Sequence, residues 1–173
     1  NVDFAYGDHG LHGRIANIPA SKVSIFADWI GDDYVMRVSG EMRECTALGY
    51  NLVLKRTISA KLFESKFTVE DTVINEGFKD EGIALCYHCN FGYPLLAPGA
   101  RIVKGKGKIT DNLGSGKNPQ NCFMVDDAHT SKDEEVYCHT NTPDKDGYGY
   151  AAVINDVLSL GCYVKYKMDT LPI

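Results

Sequence analysis

The chain has 173 residues and a net charge of −5, with 44% hydrophobic and 24% charged residues. That length can bury a substantial core within one domain, and the balance is that of an ordinary globular protein. The acidic charge excludes a nucleic-acid surface as the default reading, no apolar run approaches membrane-spanning length, and the first residues carry no signal-peptide pattern.

Residues 1–20 are rich in Gly, Asp and His and read as an irregular opening segment ending in Leu11-His12-Gly13-Arg14-Ile15-Ala16-Asn17-Ile18-Pro19-Ala20. A strand follows over residues 21–30, then a turn at Gly31-Asp32-Asp33. A second strand covers residues 34–43, where Tyr34, Met36, Val38 and Met42 oppose Arg37, Ser39, Glu41 and Arg43. Together they read as a hairpin. Residues 51–59 and 66–75 give two further strands. On the second of these Phe67, Val69, Asp71 and Val73 share a face, and Asp71, set among apolar neighbours, is expected to pair with Arg56 across strands.

In residues 83–91, Ile83, Leu85, Tyr87, Cys89 and Phe91 alternate with Ala84, Cys86, His88 and Asn90. The period of two predicts a strand with one bulky apolar face, the other rising from small residues to a histidine and an amide, like the inner wall of a polar cleft. Gly92 and Pro94 end it. Lys104, Lys106 and Lys108 alternate along residues 101–110, as suits a solvated edge strand. In the loop over residues 111–121, Gly114-Ser115-Gly116-Lys117 fails as a phosphate loop: Asp111 and Asn118 stand where Gly and Ser or Thr are needed, and no helix follows. Residues 134–139 resume a strand, and residues 148–154 and 160–168 form a last hairpin around Asn155-Asp156. No segment of ten residues carries a helical period. The fold class expected is all-β, a sandwich of large antiparallel sheets in one domain over residues 1–173.

The six cysteines, Cys45, Cys86, Cys89, Cys122, Cys138 and Cys162, are taken as reduced thiols of a cytoplasmic protein, since no export signal accompanies them. Cys86 and Cys89 lack the second half of a zinc pattern, and His9 with His12 lacks further ligands, so no metal is expected. Gly-x-Ser-x-Gly is absent, which disfavours nucleophilic hydrolysis. His88 is the leading candidate for chemistry, because an imidazole gives or takes a proton near neutrality. The alternative is a buried histidine satisfied by a backbone carbonyl. His12 and Arg14, projecting together from an extended segment across Gly13, suit a polyhydroxy or anionic ligand, or else anchor a loop through a salt bridge. His129 reads as a solvated loop residue, and His139 as the end of a strand with Glu134 on its opposite face.

Four stretches, taken in order, resemble the aldose 1-epimerase (galactose mutarotase) superfamily, and its uncharacterised bacterial aldose-epimerase-like branch most of all: residues 11–20, Asn51-Leu52-Val53-Leu54-Lys55-Arg56-Thr57-Ile58, Glu70-Asp71-Thr72-Val73-Ile74-Asn75-Glu76-Gly77, and Tyr87-His88-Cys89-Asn90-Phe91-Gly92-Tyr93-Pro94. The likeness continues through residues 134–137 and 148–172. The resemblance implies an antiparallel β-supersandwich, incomplete in this chain, with a sugar site on a concave sheet. It implies His88 as general acid and His12 as a substrate ligand; Arg14 would hold a hydroxyl or anionic group, and Asn90 would hydrogen-bond the sugar. No cofactor is required. The superfamily's general base is a glutamate on a later strand, expected beyond residue 173, so the chain is expected to be shortened at both ends. The function expected is interconversion of sugar anomers by proton transfer. The alternatives are a non-catalytic carbohydrate-binding domain on the same scaffold and, more weakly, a metal-dependent sugar isomerase. Were residues 1–173 the entire chain, uncovered sheet edges would lead to a homodimer or to poor solubility; the partners expected are a small-molecule sugar and, on that condition, a second copy.

Overall fold

The structure is a computed structural model that describes residues 12–111, 118–128 and 135–171. It is all-β and antiparallel, with three sheets of four, three and two strands among the described residues. The chain divides into two units, Asn1–Leu85 and Cys86–Ile173. No helix of the described residues is long and apolar enough to cross a membrane.

The first unit is a four-stranded meander in the order β1 (Ser21–Ile30), β2 (Asp33–Cys45), β3 (Asn51–Lys61) and β4 (Phe67–Asn75). Gly31 and Asp32 make the tight β1–β2 connection, and Gly31 sits at φ +62°, a conformation glycine adopts without the steric cost of a Cβ. The register follows the alternation in the sequence. Ile25, Val38, Ile58 and Val69 stand opposite one another across all four strands, and the next row is Ala27, Met36, Ala60 and Phe67. The reverse face carries Arg37, Ser59 and Thr68 in one row and Glu41, Lys55 and Thr72 in another. Val53 and Leu54 of β3 are both buried, so near its start this central strand is covered on both faces.

Arg56 and Asp71 face each other in the β3–β4 register, as expected. The guanidinium donates from Nε and Nη2 to the two carboxylate oxygens at 2.8 and 2.7 Å. The Asp71 side chain is only 4% exposed against 35% for Arg56, so the carboxylate is the partner that depends on the bond.

The second unit contains β5 (Arg101–Lys104), β6 (Gly107–Asp111), β7 (Tyr137–Asn141), β8 (Tyr148–Asn155) and β9 (Leu160–Lys167). β8 pairs with both β5 and β9, while β6 and β7 form a separate ribbon. The single strand expected over residues 101–110 is broken between β5 and β6. Lys104 folds its Nζ back onto the carbonyls of Gly105 and Gly107, at 3.0 and 3.1 Å, and caps the break. Gly107 lies at φ +143°, and a Cβ there would collide with the Thr140 carbonyl, so the corner requires glycine.

The strand expected over residues 83–91 does not form: residues 80–92 join no ladder among the described residues. Alternation supplies two faces, but a strand also needs a neighbouring edge for its N–H and C=O groups. The segment is instead tied down just beyond its end. Asn155, 6% exposed at the end of β8, donates from Nδ2 to the carbonyls of Pro94 (3.2 Å) and Leu95 (3.3 Å).

Replacing Arg56 by Met leaves the Asp71 carboxylate enclosed without its ionic partner. We expect a loss of about 2 kcal/mol, below the usual cost of breaking a buried pair because Arg56 is partly solvated. A lowered urea midpoint with an unchanged slope checks this.

Candidate functional site

Arg14 sits at the start of the 3-10 turn Ile15–Asn17. Its Nη1 donates to the hydroxyl of the buried Tyr50 and lies 3.5 Å from Glu44 Oε1, and its guanidinium stacks 5.6 Å from the Tyr50 ring centre. The segment is not extended: residues 12–14 form a turn, and Gly13 lies at φ +67°. The expectation that His12 and Arg14 project together along an extended chain is therefore corrected. His12 is exposed at the start of that turn, while Arg14 folds back onto the end of β2 and the loop after it.

In the second unit, His88 and Asn90 are both exposed, and His88 Nε2 donates to Asn90 Oδ1 at 2.8 Å. The i, i+2 spacing that placed them on one face also brings the two side chains together. The bond fixes a proton on Nε2 and leaves Nδ1 as the nitrogen available for proton exchange with a ligand.

The second unit also contains a cleft of about 600 Å³ that the candidate residues do not line. One wall is Glu135, Tyr137 and His139, spaced by two along the approach to β7 and its first residues; Leu96, Ile102, Cys122 and Met124 give it an apolar side. Backbone bonds from Gly99 to Val125 and from Val125 to Ala100, both 2.9 Å, hold the wall carrying Met124 against the start of β5. Tyr137 donates its hydroxyl to Glu135 Oε2 at 2.8 Å. His139 is half-buried, and burial first, then the charge of Lys104, holds its pKa below the ordinary histidine value. Burial pushes the Cys122 thiol up, opposed by Lys104, so it is no activated nucleophile. The alternation of Tyr137 and His139 was readable in the sequence. Their meeting with Cys122 was not, because it depends on how the segment at residues 118–128 returns to β5.

His9, His129, Glu134 and the loop at Gly114-Ser115-Gly116-Lys117 lie outside the described residues. Among the described residues no group of three His, Cys, Asp or Glu side chains could hold a metal ion. The six cysteines are free.

The profile of one family, described as a domain of unknown function (DUF4432), matches residues 2–173. No curated protein matches the chain. Among solved structures, the fold matches the crystal structure of a "putative aldose 1-epimerase" from Klebsiella pneumoniae subsp. pneumoniae MGH 78578, with a TM-score of 0.76 and 23% identity. The match covers 95% of this chain and 42% of that one, so the chain spans less than half the length of the protein it resembles. The all-β fold expected from the resemblance is thus the fold found.

His139 offers a direct check of the cleft. Its folded pKa lies below the unfolded one, so the unfolded chain binds more protons as the pH falls below about 6.5. His139 therefore costs stability on the acid side of that value and contributes no pH dependence well above it. We expect the His139 ring to titrate below the ordinary range by NMR, and Lys104→Met to move it only partway back, since burial is the larger cause.

Proposed function

The chain belongs to the DUF4432 family, and from that membership, its fold and its histidine–asparagine pair we propose a carbohydrate-binding protein of the aldose 1-epimerase type that interconverts sugar anomers by proton transfer. The observation that carries this reading is the exposed His88 ring, oriented by Asn90 at 2.8 Å so that one nitrogen is held and the other can reach a ligand.

In the proposed reaction a general base, which the described residues do not identify and which the resemblance gives as a glutamate on a later strand, removes the proton of the anomeric hydroxyl while His88, as imidazolium, gives a proton to the ring oxygen. The ring opens, the aldehyde carbon turns about its bond to the chain, and reclosure returns both protons with the opposite configuration. Protons and electrons balance without any cofactor. Asn90 acts chiefly on His88, by holding the ring; His12 is a candidate ligand for sugar hydroxyls. Arg14 already serves Glu44 and Tyr50, so a sugar contact would have to share it. The free thiols are in keeping with a reducing cytoplasm.

A second reading is favoured by one feature of the pair. Asn90 is an amide and cannot take a proton, so His88 and Asn90 supply an acid without a base. On that reading the same residues hold a sugar without turning it over.

Anomer interconversion measured by NMR saturation exchange over a panel of aldoses separates the two. The first reading predicts acceleration that falls by roughly 10²- to 10⁴-fold in His88→Ala and by less in Asn90→Ala. Sugar binding with no acceleration in the wild type supports the second reading. Acceleration unchanged in His88→Ala would remove His88 from the mechanism.

A further inference from the structure

Given the reading of His88 as the ring that meets the ligand, we infer that Asn155 is a positioning residue for the His88–Asn90 pair. Its amide, fixed at the end of β8, sets where the segment carrying the imidazole runs. All of these residues lie in the second unit.

The platform comes first. β8 is the middle strand of its sheet: Ile154 pairs with Arg101 of β5, and Asn155 itself pairs with Leu160 of β9. The Asn155 side chain then uses both its oxygen and its nitrogen. Oδ1 accepts from the Leu158 N–H at 3.1 Å, which holds the amide against the β8–β9 turn. Nδ2 carries two hydrogens and meets two carbonyls, those of Pro94 at 3.2 Å and Leu95 at 3.3 Å. The residue is 6% exposed, so water competes little for these bonds. Closing the turn does not by itself call for an amide. An aspartate would accept from the Leu158 N–H equally well, as Asx turns do, but could not donate. The two donors are what asparagine adds, and both are aimed at the chain beyond His88.

The partners lie 61 and 60 residues away in sequence, so these bonds locate a distant stretch of chain rather than shape a local turn. Pro94 follows Asn90 by four residues. A chain advances at most about 3.6 Å per residue, which keeps Asn90 within about 14 Å of the anchored carbonyls. Between them Gly92 closes a turn by accepting from the Leu96 N–H at 2.9 Å. Further on, Gly99 and Ala100 are bonded to Val125. The chain is therefore fixed from Gly92 onward, whereas residues 80–92 join no ladder among the described residues. The His88–Asn90 bond sets the ring relative to its own segment. The place of that segment is inherited from the turn that Asn155 grips.

Asn155→Asp keeps the acceptor that closes the turn and removes both donors. Nitrogen-15 relaxation of the ligand-free protein reads the backbone order of residues 88–90, so the outcome is independent of whether any sugar is bound or turned over. Order parameters of about 0.85 in the wild type should fall below about 0.6 in Asn155→Asp at neutral pH. They should recover in part in acid, where the protonated carboxyl again donates to a carbonyl. Asn155→Ala should fall as far and show no recovery. Asp156→Asn weakens the exposed Arg101–Asp156 pair on the next residue and should leave residues 88–90 as ordered as in the wild type. Unchanged order in Asn155→Asp overturns the proposal, and so does an equal loss in Asp156→Asn. If neither Asn155 variant keeps its β-sheet circular dichroism, the wild type decides. As urea is raised, order at residues 88–90 should be lost together with the exchange protection of the Asn155 Nδ2 protons; order lost while those protons are still protected overturns the proposal.

Discussion

A run of residues becomes a strand here only where another strand's edge satisfies its backbone. Each unpaired N–H and C=O must otherwise find a partner in water or in a side chain, and that requirement sorts the alternating segments of this chain. β1 to β4 satisfy one another through a continuous antiparallel meander. Residues 80–92 alternate just as well and form no ladder among the described residues. The consequence for function is direct, because His88 lies in this segment. Its orientation comes from a side-chain bond to Asn90, and the chain beyond it is located by Asn155 gripping the carbonyls of Pro94 and Leu95.

Much of the fold was legible because period and punctuation agree. Gly31-Asp32 and Asn155-Asp156 fall between alternating runs, and both hairpins form where they stand. The Arg56–Asp71 pair was legible for a related reason: a lone carboxylate on an apolar face needs a cation on the adjacent strand, and one was at hand. The misreadings share a cause. Alternation at residues 83–91 states which side chains would share a face, but not whether a neighbouring strand exists. At His12-Gly13-Arg14 the glycine takes a positive φ and turns the chain, so a spacing that would align two side chains on a strand does not align them here. The cleft beside β7 was out of reach for a different reason: Cys122 and His139 are brought together by the return of residues 118–128 to β5, which leaves no local period.

The two candidate chemistries differ in how their imidazoles are held. His139 is half-buried near a lysine, and both influences favour its neutral form, which suits hydrogen bonding rather than acid catalysis. His88 is exposed and its Nε2 is bonded to an amide oxygen, which leaves Nδ1 open to a ligand. The acid role is therefore given to His88, though His139 lies in the larger enclosure. On the β1–β4 meander one face carries Arg37, Glu41 and Lys55 and the other carries Ile25, Met36, Ile58 and Val69, as the alternation of each strand requires.

The central claim is that a sugar engages the free edge of the His88 ring while Asn90 holds the other. Nitrogen-15 NMR of the His88 imidazole, with and without an aldose, tests it most directly. The account predicts that the Nδ1 signal moves on adding sugar while Nε2 remains protonated and bonded to Asn90. A bound sugar that leaves both ring nitrogens unmoved, or a ring that responds to no aldose, would contradict it.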